Sequence, residues 1–177
     1  PARAARPTLR LQLEAGGRFE YFNITDDLLV SPRASLLLEL GKKTRLKAAT
    51  GIFQQYPFYV GDGLAINKDY GNQDLLAERA RHVVAGFEQD FGREVMLRIE
   101  GFWKSYDRLV VYDHLKNFIN GAERQAWGFD LFLQKKLGKG LDGWITYSYI
   151  KARDRVTLRN PADPARPDYE IPFDTWF

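Results

Sequence analysis

The sequence predicts an all-β fold, an antiparallel meander of long strands that forms part of a large transmembrane β-barrel. The first observation is alternation: in residues 94–104, Val95, Leu97 and Ile99 fall on one face and charged residues on the other. The second is that this rhythm recurs in about seven segments of roughly ten or more residues, whereas strands of soluble proteins usually have roughly 5–6. The third is that tight turns alternate with long loops along the chain.

The first three strands follow from this alternation. The strand at 8–22 alternates leucines with charged and amide side chains, and a polar loop at 23–32 follows it. The second strand, 33–40, puts three leucines on one face. A Gly-Lys turn at 41–44 leads into the third strand, 45–55, whose apolar face is mixed.

The next strands repeat the pattern after a long irregular stretch. The fourth strand is predicted at 79–91, and a glycine turn at 91–93 joins it to the fifth strand, 94–112. A polar loop at 113–123 precedes the sixth strand, 124–137, which alternates aromatic and leucine side chains with polar ones. Antiparallel pairing of neighbours is the expected consequence of these short connections.

The end of the chain continues the same order. A turn at 138–142 leads to the seventh strand, 143–152, and a charged, proline-rich loop at 153–172 reaches the start of an eighth. Long loops at one end and tight turns at the other are typical of outer-membrane barrels. We therefore expect residues 1–177 to be a partial barrel of about seven full strands plus the start of an eighth.

Composition narrows the class of protein. The 177 residues are 45% hydrophobic and 14% aromatic, with no cysteine and a net charge of +3. No run of ~18 apolar residues is present, which excludes a transmembrane helix but not barrel strands. The absence of cysteine excludes disulfides and thiolate metal sites. Because the basic residues form no long run, no nucleic-acid partner is expected. The chain opens without Met or an apolar leader, which predicts an internal segment of a longer protein.

Residues 56–78 are the candidate binding loop. A connection longer than roughly 12–15 residues without regular structure is usually functional or disordered. This one is rich in aromatic side chains, which offer rigid apolar area with a polar tip. The candidate contacts for a solute or the cell surface are Tyr56, Phe58, Tyr59, Asp62 and Tyr70.

No motif predicts catalysis, a metal site or a cofactor. The G-x-G-x-x-G pattern at 138–143 precedes a strongly β segment, so a hairpin turn is the interpretation rather than a dinucleotide site. His82 and His114, the two histidines, lack partners at ligand spacing, and the acids of loop 56–78 do not match an EF-hand. No nucleophile motif of the G-x-S-x-G type occurs. The protein is therefore not expected to be an enzyme.

Five sequence blocks carry a resemblance to a known family. They are QQYPFYVGD, ERARHVVAGFEQDF, LRIEGFWKSYDRLVVYD, NGAERQAWGFDLFLQKKL and GWITYSYIKAR. In this order, and with the tight turns between them, they resemble consecutive barrel strands of a TonB-dependent outer-membrane receptor, from about residue 17 to 155. Such receptors have a plug domain and a TonB box before a 22-stranded barrel. Nothing in this chain resembles the plug or the TonB box, which implies a fragment of the barrel domain.

The resemblance implies a transport function. The intact protein would lie in the outer membrane of a Gram-negative-type bacterium, in contact with lipid. It would bind a scarce solute (a siderophore, cobalamin, a glycan or a peptide) and import it with energy from the TonB complex, which it would contact through the plug.

Five charged residues on inferred inward faces allow two interpretations. They are Glu88, Asp90, Arg98, Glu100 and Asp130. One interpretation is a ladder of cross-strand charges that lines a wet barrel, each pair contributing ~0.2–1 kcal/mol. The other is contact with the plug or with a solute pathway. The two are compatible.

Two other functions fit parts of the sequence. One is a soluble β-sheet module that binds a ligand and buries the apolar face against a second sheet. The other is a small passive outer-membrane barrel of about eight strands. Trp103 and Trp127, on the apolar face, distinguish a lipid-facing sheet from a soluble core.

Overall fold

Eight strands form one antiparallel sheet in the simplest order, with each strand beside the next in sequence. The computed structural model describes residues 9–23, 25–57, 72–92, 94–113, 117–136, 140, 142–159 and 167–176. The strands are β1 Leu9–Phe22, β2 Asp27–Leu40, β3 Thr44–Gln55, β4 Glu78–Phe91, β5 Val95–Asp113, β6 Asn117–Lys135, β7 Gly143–Arg159 and β8 Pro167–Trp176. The predicted all-β antiparallel meander is confirmed.

The register keeps the apolar residues of successive strands on one face. Because side chains alternate along a strand and directly paired residues share a side, a correct register extends one face across the sheet. Two rows show this continuity. In one, Phe87 is opposite Ile99, and Ile99 is opposite Leu131. In the other, Val83, Trp103 and Trp127 are paired in turn. We call this side the apolar face and the opposite side the polar face.

The apolar face is exposed rather than packed. Most large exposed hydrophobic side chains of the described strands belong to it, among them Leu11, Phe19, Ile99, Trp103 and Ile145. Fully buried apolar residues are few in the described part of the chain, and no second sheet covers the first. An apolar face of this extent needs an apolar medium. The arrangement is typical of strands that face lipid, and it disfavours the soluble module.

The elements of the described residues are all strands. Within the described ranges, no helix is long and apolar enough to cross a membrane.

The tight turns at one end of the sheet depend on glycine. Gly41 follows β2 and Gly92 follows β4, and both have positive φ angles, of 71° and 72°. Side chains other than glycine rarely adopt this conformation, so glycine allows the strand to reverse within a few residues.

The structure corrects the predicted loop at 23–32. β2 begins at Asp27, six residues earlier than the predicted start, and pairs with β1 up to Phe22. The reversal is made near Asp26, which has a φ of 58° and accepts a hydrogen bond from the Tyr21 hydroxyl. Leu28 and Val30 carry the alternation back to the turn, but the adjacent Leu29 makes the run continuously apolar and hides the period of two.

Two more predicted loops are shorter than expected. β6 begins at Asn117, within the predicted loop 113–123. β7 runs to Arg159 and β8 starts at Pro167, so the predicted loop 153–172 is largely strand. The end of β7 has charged residues at consecutive positions, and the start of β6 has Asn, Gly and Ala among its apolar residues, so neither shows a clear period of two in sequence. The connection between β3 and β4, at 56–77, stays long.

An irregularity interrupts β5 where it meets β6. The register shifts between Tyr106 and Leu109 and again between Leu109 and Val111. Arg108 has a φ of 61°, which is uncommon for a residue other than glycine. Such bulges redirect side chains and occur often near functional regions of sheets.

Trp103 and Trp127 should contact lipid chains. They are 40% and 46% exposed on the apolar face, whereas Trp144 lies on the polar face. In full-length protein in bilayers, variants that keep only Trp103 or only Trp127 should lose fluorescence to lipids with brominated chains. A variant that keeps only Trp144 is the matched control and should be quenched less. Equal quenching of all three would contradict the assignment of faces.

Candidate functional site

The long connection between β3 and β4 begins at Tyr56. We call its residues next to β3 the first stem and its residues next to β4 the second stem. The side chain of Tyr56 holds the first stem against the sheet. Its ring stacks on Phe22 with centroids 4.1 Å apart and planes 14° from parallel. Its hydroxyl donates a hydrogen bond to the Asp27 carboxylate and accepts one from the Thr25 hydroxyl at 2.8 Å. Tyr56 is only 7% exposed. The chain leaving β3 is thus bound to the β1–β2 turn.

These contacts also set the acidity of Tyr56. Burial, followed by the hydrogen bond to Asp27, raises the pKa of its phenol above the usual 10.0, and the Thr25 bond opposes this in part. The favoured form is neutral, and it is the form that donates to the carboxylate. Because the folded-state pKa lies above that of the unfolded chain, Tyr56 contributes its full stability below pH 10. The contribution is lost as the pH rises through the raised pKa.

Leu75 fastens the second stem, just before β4. It is 2% exposed and packs against Phe118, with Phe22 and Val110 against the same cluster. The Asn72 side-chain amide donates to the Phe118 carbonyl at 2.8 Å. We call Phe22, Tyr56, Leu75, Val110 and Phe118 the rim cluster. It joins residues from the ends of β1, β5 and β6 to both stems of the connection.

Asn120 completes the attachment with three hydrogen bonds. Its oxygen accepts from the Leu76 backbone N–H at 2.8 Å, and its amide donates to the Leu76 carbonyl at 2.9 Å. The same amide donates to the Arg108 carbonyl at 2.7 Å, at the bulge in β5. One side chain therefore forms hydrogen bonds with backbone groups of both the second stem and the bulge. An Asn that pairs in this way imitates a strand edge.

The rim cluster includes one of the five loop residues that the sequence predicts as contacts, Tyr56. The other four, Phe58, Tyr59, Asp62 and Tyr70, lie outside the described residues. Sequence reasoning missed Leu75 and Asn120. Leu75 was detectable, because it and Leu76 are an apolar pair within a polar stretch. Asn120 was not, because its role depends on the bulge opposite it.

Charged residues on the polar face form a row of alternating sign. The register aligns Arg10 with Glu39, Glu39 with Arg45, Arg45 with Glu88 and Glu88 with Arg98, across five strands. Opposite charges in adjacent positions stabilise a sheet by ~0.2–1 kcal/mol per pair. Glu88 and Arg98, two of the five residues with predicted inward faces, belong to this row.

Glu88 is the most connected acid of this face. It accepts hydrogen bonds from Arg45 and from Lys47, the latter at 3.0 Å, and its side chain is 12% exposed. Arg45 also contacts Asp90 at 2.9 Å. Arg98, which lies opposite Glu88, has its guanidinium carbon 5.0 Å from the centre of the Phe132 ring. Three of the five predicted inward residues thus have partners on the polar face.

Glu100 and Asp130 differ from the others. They are paired directly across β5 and β6 on the polar face. Neither makes a salt bridge in the described part of the chain, whose ion pairs involve other acids. Like charges in opposed positions destabilise a sheet unless a cation approaches them. The pair is therefore suited to receive a basic group on the polar face.

His82, Phe53 and Tyr106 form an aromatic group on the polar face. It lies nearer than Glu88 to the end of the sheet that carries the long connection. The His82 ring is 4.8 Å from that of Phe53 and 5.7 Å from that of Tyr106, and its Nε2 atom is buried without a hydrogen-bond partner. Gly51, opposite His82, leaves space that the Phe53 ring occupies. A cleft of about 430 Å³ adjoins these residues. Its lining suits packing or solute contact; no group of three His, Cys, Asp or Glu residues in the described ranges could hold a metal ion.

Comparison with known proteins agrees with the fold. The family model described as TonB dependent receptor-like, beta-barrel matches residues 5–175 of the chain. A search of curated proteins found no match.

Leu75→Ala should destabilise the protein far more than Leu76→Ala. Leu75 is enclosed in the rim cluster, whereas its neighbour is 48% exposed. Emptying a buried leucine site costs about 2–5 kcal/mol, and trimming an exposed one costs much less. The midpoint of thermal unfolding of the full-length protein in detergent measures the difference. Equal shifts for the two variants would contradict a packed rim cluster.

Tyr56→Phe should flatten the decline of stability at alkaline pH. The variant lacks the phenol whose ionisation is coupled to folding, so its unfolding midpoint should fall less steeply above pH 10. Tyr147→Phe, on the apolar face, is the matched control and should follow the unmodified protein. Parallel curves for all three proteins would show that Tyr56 has no such coupling.

Proposed function

Because the chain belongs to the TonB-dependent receptor-like β-barrel family, we propose that it is part of the barrel wall of a receptor that imports a scarce solute. The match extends over residues 5–175, nearly the whole chain. The sheet has the two faces that such a wall needs, one apolar for lipid and one polar for the interior. The family consists of transporters and not of enzymes.

The proposed location is the outer membrane of a Gram-negative bacterium. The exposed apolar face supports it, because lipid is the medium that removes such a surface from water. Trp103 and Trp127 support it also, since aromatic side chains gather where a barrel meets the headgroups.

The connection between β3 and β4 is the proposed solute-binding loop. The observation that carries this proposal is that the rim cluster holds both of its stems. Tyr56 joins the first to Asp27, and Asn120 joins the second to β5 and β6. A loop with fixed stems loses less conformational entropy when it binds a ligand. Phe58, Tyr59, Asp62 and Tyr70, between the stems, are the proposed contacts, and Tyr56 positions them.

The polar face is proposed to line the interior and to meet the plug. Arg45 compensates the charges of Glu88 and Asp90, and Arg98 lies opposite Glu88 in the register. Glu100 and Asp130 supply uncompensated negative charge for a basic group of the plug. Import would use energy that the TonB complex delivers through that plug. The solute class stays open among siderophores, cobalamin, glycans and peptides.

Uptake tests the proposed loop. Replacing Phe58, Tyr59 and Tyr70 together with alanine should lower uptake at limiting solute by about tenfold or more, because aromatic contacts dominate recognition. Phe91→Ala, an exposed aromatic at the opposite end of the sheet, is the control and should leave uptake unchanged. Panels of each solute class serve as substrates, and immunoblots of outer membranes report assembly. Normal uptake by an assembled triple variant would overturn the loop assignment.

A further inference from the structure

A cluster of arginines lies on the same side of the sheet as the apolar face. It lies near the start of β4, where charged side chains replace the apolar ones. Along β4, Val83 is followed toward the strand's start by Arg81 and Arg79 on the same side. Along β5, Trp103 is followed by Ser105 and Asp107 on that side. The register aligns Arg81 with Ser105 and Arg79 with Asp107. The charged rows thus begin about 7 Å along the strand from the tryptophan row.

One carboxylate is shared among the arginines of this cluster. Asp107 contacts Arg79 at 2.9 Å, Arg81 at 3.3 Å and Arg108 at 3.9 Å. Its negative charge compensates one of the three cations. We call Arg79, Arg81, Arg108 and Arg155 the outer basic patch.

The patch borders an open cleft rather than a filled surface. The four arginines line a cleft of about 860 Å³ together with Gln125, Asn120 and other polar residues. Glu123 is a second acid of the lining, so Arg79, Arg81 and Arg108 exceed the acids of the described lining by one. The side chains of Arg81 and Arg108 are 44% and 39% exposed. Guanidinium groups in this setting suit phosphate, which they bind through paired N–H donors.

The β5 bulge brings Arg108 into the patch. A regular strand would alternate sides and direct consecutive residues 107 and 108 to opposite faces. The positive φ of Arg108 and the register shift break that alternation, and both residues line the same cleft. Asn120 stabilises the bulge by donating to the Arg108 carbonyl at 2.7 Å.

We propose that the outer basic patch binds the phosphate-bearing headgroup of an anionic lipid in the outer leaflet. Its position favours a lipid over a soluble acidic partner, because it continues directly from the exposed apolar face and its tryptophans. Lipid chains would lie against that face while the phosphate meets the arginines. The inference rests on the proposed membrane location, and goes beyond it by naming a lipid site.

Lipid titration of the full-length receptor in detergent tests the proposal. Dioleoylphosphatidylglycerol and dioleoylphosphatidylcholine have the same chains but differ in net charge, and native mass spectrometry counts the molecules bound. The test variant is Arg81→Gln with Arg108→Asn, since Asn tolerates positive φ. The control is Arg18→Gln with Lys104→Gln, which removes the same charge from the polar face. Inorganic phosphate is added as a competitor in a separate arm.

The expected result is preferential binding of the anionic lipid that weakens with salt. The test variant should lose about 30-fold in affinity, from roughly 1 kcal/mol for each of two cations near the lipid surface. The control variant should keep its affinity. Equal binding of the two lipids, or equal loss in both variants, would overturn the proposal. Displacement by millimolar phosphate would assign the patch to the free ion instead of a lipid.

The outcome is separable from that of the proposed function. Quenching of Trp103 by brominated chains reports contact with lipid whatever the headgroup. Quenching without a preference for the anionic lipid would remove the lipid site alone. Absence of quenching would remove the membrane location, and with it both proposals.

Discussion

Strand register is the constraint on which the rest of the structure depends. Each strand alternates apolar and polar side chains, so a slip of one residue in any pair would move the next strand's apolar residues to the other face. Continuous pairing from β1 to β8 prevents this and produces one apolar and one polar face. Both faces are needed at once, because lipid and water lie on opposite sides of a barrel wall.

The polar face carries charged residues in two kinds of setting. Its row of alternating charges compensates itself, so Arg45 and Glu88 need nothing from outside the sheet. Glu100 and Asp130, one row away, make no salt bridge with the described residues and place two negative charges side by side on the same face. The polar face therefore holds compensated charges beside a pair of like charges.

The end of the sheet that carries the long connection combines two devices. On the polar side, the rim cluster fixes the stems of that connection through Tyr56 and Leu75. On the apolar side, the bulge in β5 places Arg108 beside Asp107. Asn120 joins the two, since it bonds to both Leu76 and Arg108. Solute capture and lipid attachment would therefore share a structural element.

The sequence by itself determined the class of fold, the two faces and most of the strands, because alternation with period two is a local property of the chain. It also determined the tight turns, since Gly41 and Gly92 allow positive φ. The ends of β2, β6 and β7 were decided only by the tertiary structure. Those ends show no clear alternation of apolar and polar residues, and pairing with a neighbour, not composition, makes them strands. The rim cluster and the outer basic patch were likewise decided by the fold, because their residues lie on different strands and meet only through register and the bulge.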